Sequence, residues 1–282
     1  MEQVIKLSNV GHQYGEKNVL KDINLDIDSG KIFGLLGPSG AGKTTLINIL
    51  TGQLRQTLGT AELFGKDTRK LKNADYKKIG IMMDHFGLYD RFSCYDNLKL
   101  FARIYGIPNK DIEEALGKVG LLEAKKKRAS NLSKGMRSRL LLARVLMVKP
   151  SILFLDEPTS GLDPVTAKQI HELILQEKNR GNTIFLTTHN MVEAEKLCDE
   201  IALLHEGEIV EYGMPAEICR KYNHQRKIRL HLYDGRDLEL QNAKASAKTV
   251  GRYLEEEMIE AIHSTEPSLE TVFMELTGRG LD

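Results

Sequence analysis

Residues 37–44 read GPSGAGKT; the apolar run IFGLL (32–36) precedes them and TTLINILTGQL (44–54) follows. The octet fits GxxxxGK[ST]. Its glycines let a loop curl so that successive backbone N–H groups point inward, and a helix behind it adds the positive end of its dipole. Gly37, Pro38, Ser39, Gly40, Ala41, Gly42, Lys43, Thr44 and the adjoining Thr45 thus form a candidate phosphate cradle. Lys43 has the reach for β- and γ-phosphates, and the Thr44 hydroxyl is a Mg²⁺ ligand type. A glycine-rich turn with a solvated lysine is the bland alternative. An apolar strand before the loop and a helix after it weigh against that alternative.

SILFLDEP (151–158) is a second apolar strand, and it ends in two acids. A strand this apolar holds charge only at its tip, where a ligand compensates desolvation. Asp156 is therefore a candidate Mg²⁺ ligand, and Glu157 a candidate to orient or deprotonate an attacking water. Two solvated loop acids are the alternative, weakened by the phosphate cradle in the same chain. His189 follows the strand TIFLTT (183–188), which places it on the same edge of a parallel sheet. There it has access to a γ-phosphate and a water, although a lone histidine is more often structural.

Working outward, residues 4–37 alternate short apolar runs with Gly, Asn and Asp turns and read as antiparallel strands. IGIMM (79–83), SILFLD, TIFLTT and EIALLHEGEIVEYG (200–213) read as further strands, separated by helical stretches. Such alternation predicts a parallel sheet with crossover helices. The stretch 85–145 is helix-rich and reads as an insertion. Within it Ser93 and Asp96 have capping-box spacing, and Gly106 with Pro108 stops the helix. Beyond about residue 222 the character changes to a hairpin around Asp234-Gly235, a helix, a short strand and a last helix.

The chain has 282 residues, 41% hydrophobic and 28% charged, with 40 basic and 39 acidic side chains. A net charge of +1 supplies no broad field for nucleic acid, and no such partner is expected. Three widely spaced cysteines predict neither a disulfide framework nor a zinc site. No apolar run approaches the ~20 residues of a membrane span. Work at a membrane would require another chain to provide the span.

These motifs, in this order, resemble the nucleotide-binding subunit of an ATP-binding cassette transporter, over residues 1 to about 220. Tyr14 sits where that family places an aromatic ring against adenine. LSKGM (132–136) stands at the family's signature, usually LSGGQ, and SGLD (160–163) at the loop after the acidic pair. His189 matches the switch histidine. Asp84 stands where the family usually has glutamine. The resemblance implies an α/β fold: a P-loop NTPase core with a mostly parallel sheet, an antiparallel β subdomain and a helical insertion (about 85–145), all within 1–221. Residues 222–282 form a small α+β appendage.

It also implies the chemistry: an ATPase with ATP and Mg²⁺ as cofactors. Glu157, His189 and Lys43 would be catalytic. The loop residues 37–45, Tyr14, Ser133, Gly135 and Asp163 would hold nucleotide, and Thr44, Asp156 and Asp84 the metal. Two roles stay open for Asp84: a Mg²⁺ contact, direct or through water, or a cap on its own loop. Lys134, in place of the signature's glycine, is either an added cation near a γ-phosphate or a solvated lysine. In this family the signature of one chain closes on nucleotide held by another, so a homodimer or heterodimer of cassettes is implied. Phe86, Leu88, Tyr89 and Phe92 would form a groove for a transmembrane permease subunit, on the inner, cytoplasmic face of the membrane. The ending PSLETVFMELTGRG (267–280) resembles cassettes of exporters for drugs, antibiotic peptides or sodium. The alternative is a soluble or regulatory cassette ATPase not coupled to transport. Paired cassettes in one chain, long coiled-coil insertions or a basic tail, usual in the soluble kind, are not seen.

Overall fold

The parallel core follows from five strands with apolar centres whose residues are nearly all buried, as expected where both faces of a sheet are covered. The computed structural model describes residues 3–83, 87–264 and 266–278. The chain begins with β1 (Gln3–Tyr14), β2 (Lys17–Asp28) and β3 (Ile32–Leu36), then α1 (Lys43–Leu50). Next come β4 (Leu58–Leu63), β5 (Lys66–Asp67), α2 (Asn73–Tyr76) and β6 (Ile79–Met82). The helical insertion holds α3 (Cys94–Tyr105), α4 (Asn109–Lys118) and α5 (Lys134–Met147). The core resumes with β7 (Ile152–Asp156), α6 (Pro164–Asn179), β8 (Thr183–Thr188), α7 (Met191–Leu197), β9 (Glu200–His205) and β10 (Glu208–Gly213).

Six strands form one sheet in the order β10-β9-β3-β8-β7-β6. The pairs β9–β3, β3–β8, β8–β7 and β7–β6 are all parallel. Register then decides the site. Leu36 lies beside Thr188, Thr187 beside Asp156 and Leu155 beside Met82. The carboxyl ends of β3, β8, β7 and β6 therefore open on one edge, the place where open α/β sheets bind ligands. A second sheet, β2-β1-β4-β5, is antiparallel and buries Ile5, Ile23, Ile27 and Leu63 fully. Phe33, Phe154 and Phe185 pack ring to ring beneath the parallel sheet at 5.3 and 5.6 Å.

Residues 200–213 form two strands rather than one. Glu206 (φ 47°) and Gly207 (φ 83°) turn the chain between β9 and β10. In the insertion, Ser93 Oγ accepts from Asp96 N at 3.0 Å, and Gly106 ends α3 in the left-handed conformation. Cys94, Cys198 and Cys219 are buried and form no disulfide.

Two compact units divide at Tyr212–Gly213 rather than at 221. The second unit contains α8 (Pro215–Lys221), β11 (Lys227–Leu232), β12 (Asp237–Gln241), α9 (Ala247–Glu255), β13 (Ile259–Ser264) and α10 (Leu269–Thr277). The helix α8 packs against α10, which is why the division precedes it. Strand β11 is central and antiparallel to both β12 and β13. Leu230, Leu232 and Tyr253 make this unit's own small core.

Candidate functional site

The loop between β3 and α1 is shaped by its glycines. Gly42 has φ 112°, which a side chain rarely adopts, and a Cβ there would lie 2.7 Å from the Leu20 side chain. A Cβ on Gly37 would run into the Leu204 carbonyl. Lys43 curls back over the loop it ends. Its Nζ donates to the carbonyls of Gly37 at 2.6 Å and Pro38 at 3.2 Å.

Beside this loop a cavity of about 540 Å³ is lined by Val19, Ser39, Gly40, Gly42, Lys43, Thr44, Thr45, Met83, Asp156 and Glu157. The wall combines inward-facing loop residues, one ammonium, two carboxylates and two threonine hydroxyls. Thr44 Oγ1 donates to Asp156 Oδ2 at 2.9 Å, and Thr187 Oγ1 donates to Asp156 Oδ1. Asp156 is 5% exposed, so these hydroxyls offset the cost of burying its charge. Glu157, the next residue, has φ 49°. That conformation is uncommon outside glycine, and strained backbone concentrates at functional sites. The Glu157 N–H donates to Thr187 O at 3.1 Å. Its carboxylate is held from two sides: Lys43 Nζ is 3.5 Å from Oε1, and His189 Nδ1 is 2.8 Å from Oε2.

Thr44 and Asp156 are hard oxygen donors at the mouth of a phosphate-shaped loop, which fits Mg²⁺. The other expected metal contact, Asp84, lies outside the described residues, as does Phe86.

Tyr14 is not part of the cavity lining. It stands half exposed (51%) at the end of β1, edge-on to His12 at 4.6 Å. The signature residues form a separate patch. Ser133 caps α5, accepting from Met136 N at 3.2 Å. Gly135 packs so closely on Thr166 that a Cβ would meet its Cγ2 at 2.7 Å. Asp163 caps α6, accepting from Val165 N at 3.1 Å, Thr166 N at 3.0 Å and Thr166 Oγ1 at 2.7 Å. The hydroxyl and amide of Thr166 hold its carboxyl below the ordinary aspartate range. The Lys134 ammonium sits over Gly161, so signature and SGLD loop share one exposed surface.

Tyr89 and Phe92 stack at 5.3 Å, and both are exposed, while Leu88 is half-buried. Asn97, fully buried, shapes that loop: it accepts from Tyr89 N at 2.8 Å and donates to Tyr89 O at 3.1 Å. Sequence reasoning missed Asn97, Val19, Thr187 and the buried carboxylate Glu193. The signal for Thr187 was two hydroxyl residues following the apolar run IFL at the end of β8.

The family described as ABC transporter matches residues 20–160. A fluoroquinolones export ATP-binding protein of Mycobacterium tuberculosis is 38% identical over 286 residues, 99% of this chain and 95% of that protein. A bacitracin transport ATP-binding protein of Enterococcus faecalis is 35% identical over 99% of this chain and 98% of its own length. A solved dimeric ATP-binding cassette, in a post-hydrolysis state bound to ADP and Pi, is similar with a TM-score of 0.67 at 28% identity. That likeness covers 74% of this chain and 98% of the other. With its phosphate loop, paired carboxylates and histidine gathered on one sheet edge, this chain belongs to the ABC transporter family, as one of its ATP-binding, ATP-hydrolysing subunits.

Proposed function

We propose that this subunit uses MgATP to close a dimer of cassettes and thereby drives a permease that exports drug-like or antibiotic-peptide cargo. The single observation that carries the catalytic reading is Glu157 held between Lys43 at 3.5 Å and His189 at 2.8 Å, on the wall of the phosphate-loop cavity.

The backbone of Gly37, Pro38, Ser39, Gly40, Ala41, Gly42, Lys43, Thr44 and Thr45 cradles the phosphates. Lys43 exchanges its loop carbonyls for β- and γ-phosphate oxygens, a charge-assisted bond in place of neutral ones. Thr44 and Asp156 hold Mg²⁺, which supplies positive charge to phosphate oxygens when bound. Glu157 orients the attacking water and accepts its proton. His189 fixes the Glu157 carboxylate and reaches toward the γ-phosphate. Tyr14 stacks on the base.

Ser133, Gly135 and Asp163 serve the nucleotide of a second cassette, because their shared patch is not part of the lining of this chain's own cavity. ATP then favours the closed dimer, since only that state uses both donor sets. The permease docks at the loop bearing Phe86, Leu88, Tyr89 and Phe92. Among the described residues no helix is long and apolar enough to cross a membrane. The chain thus sits peripherally, on the cytoplasmic face, through that partner. Export is supported by relatives named for fluoroquinolones and bacitracin that match through residues 222–282 as well as through the cassette.

The test is purification of the tagged chain from its own cells in mild detergent. A multi-span membrane protein should co-purify, and its presence should raise Mg²⁺-dependent ATP turnover. A chain that purifies alone and turns over fully without any membrane protein would exclude the transport reading.

A further inference from the structure

Glu193 lies in the first turn of α7 with 3% exposure, and no step above uses it. Its Oε1 accepts from Thr159 Oγ1 at 2.5 Å and lies 2.8 Å from His171 Nε2 on α6. Its Oε2 accepts from Thr188 Oγ1 at 2.8 Å. Its own N–H donates to Asn190 Oδ1 at 3.1 Å, and Asn190 N donates to Thr188 Oγ1 at 3.0 Å. Burial works against this charge, and the hydrogen bonds from His171, Thr159 and Thr188 outweigh it, leaving the carboxyl below the ordinary glutamate range.

The identity of these donors matters more than their number. Thr188 is the residue before His189. Thr159 is two residues after Glu157, at the start of the stretch that runs through Gly161 to Asp163. One buried carboxylate thus pins the segment carrying the histidine to the segment joining Glu157 to the signature patch. A second clamp holds that segment from the insertion side, where Ser138 Oγ on α5 donates to Pro158 O at 3.1 Å. A helix needing only solubility at this position would carry an exposed glutamate. A fully bonded buried one specifies a single arrangement of its neighbours.

We propose that Glu193 is a positioning residue that ties the 159–163 loop to His189, so that closure of the dimer on that loop is transmitted to the Glu157–His189 pair. This rests on the roles proposed above for Glu157 and His189. Coupling of this kind is a rigid tie between two loops that must move together.

The test compares Thr159→Val, Thr159→Ser and Glu193→Gln in the full chain, measuring ATP affinity, KM and kcat. Thr159→Val removes one hydroxyl at nearly constant shape and leaves Glu193 its other donors. It should keep ATP affinity within about twofold and lower kcat about tenfold, the order expected when a catalytic group is slightly misplaced. Thr159→Ser should restore kcat, since it restores the hydroxyl. The double variant Thr159→Val with Glu193→Gln should be no slower than the slower single, because both break one tie. Unchanged kcat in folded Thr159→Val would overturn the proposal, as would a loss confined to KM. Should Glu193→Gln fail to fold, the valine and serine pair still decides. Full turnover in Glu157→Gln is a different result: it removes the catalytic reading and leaves the geometry of the tie untouched.

Discussion

The cavity and the signature patch satisfy their polar groups in different ways. In the cavity each working side chain already holds a partner: Lys43 the loop carbonyls, Thr44 Asp156, Glu157 His189. Lys43 and Asp156 are buried, where an unpaired group is costly, Glu157 is half-buried, and Thr44 and His189 are exposed. In the patch, Ser133, Lys134 and Asp163 are exposed. Ser133 and Asp163 cap helices, and Asp163 also accepts from the Thr166 hydroxyl. The cavity is thus a site that a lone chain can fold and fill. The patch is a surface organised by capping, and in the proposed dimer it serves the nucleotide of a second molecule. Substitutions in the first should alter nucleotide binding by a monomer, and substitutions in the second should alter turnover only in a dimer.

The comparison breaks most sharply at Glu157. Glu157→Gln should lower turnover about a thousandfold, within the range typical of a lost general base. ATP affinity should persist, and ultracentrifugation with ATP should show accumulated dimer. Turnover near the parent rate would remove the assigned role. Lys43→Ala comes next. Isothermal titration should show ATP affinity weakened about a hundredfold, which corresponds to ~2.7 kcal/mol. The same change leaves the carbonyls of Gly37 and Pro38 without the donor they now have. A modest loss of thermal stability should accompany it, about 1–3 kcal/mol by the cost of unsatisfied buried acceptors.

Much of the cavity was legible because its two acids and its histidine stand at or just past the ends of apolar strands, and charge there demands a reason. Asp156 and Glu157 after ILFL and His189 after TIFLTT carry that mark in one dimension. What tied them together was not legible. Thr187 reaches Asp156 only because β7 and β8 pair in one register, and Glu193 meets Thr159 and His171 across two connections. A glutamate within MVEAEKL reads as a solvated helix face until the fold buries it. The break between β9 and β10 was hidden by an apolar run on each side of Glu206-Gly207. The division at 212 was hidden similarly, because nothing in PAEICRK says which unit α8 will pack on.

Ser133 sharpens the comparison from the patch side. Ser133→Ala should cost about 1 kcal/mol of stability through the lost cap. If it also donates to a γ-phosphate in the dimer, turnover should fall roughly tenfold, the worth of one hydrogen bond to a charged group. The two effects separate in Ser133→Asp. Aspartate caps a helix as well as serine does, so stability should be retained. A carboxylate facing phosphate should nevertheless depress turnover below that of Ser133→Ala. Equal rates for the two variants would confine Ser133 to its capping role. Binding of ATP to dilute monomer should be unchanged in both.

The smallest effect belongs to Tyr14, which tests where the cavity ends. The lining includes Val19 but not Tyr14, whose ring is half exposed at the tip of β1. Phosphates fill the cavity in this reading, so the base must extend beyond it. Stacking on an aromatic ring is worth about 1–3 kcal/mol per base, and exposure puts Tyr14 at the low end. Tyr14→Ala should therefore weaken ATP about fivefold, and Tyr14→Phe hardly at all. Inorganic tripolyphosphate provides the control, since it fills the cradle and has no base to stack. Its affinity should be the same in Tyr14→Ala and the parent chain. If tripolyphosphate weakens in parallel with ATP, the ring acts by supporting the β1–β2 turn and thereby the wall at Val19. Adenine recognition would then have to come from another residue on the rim.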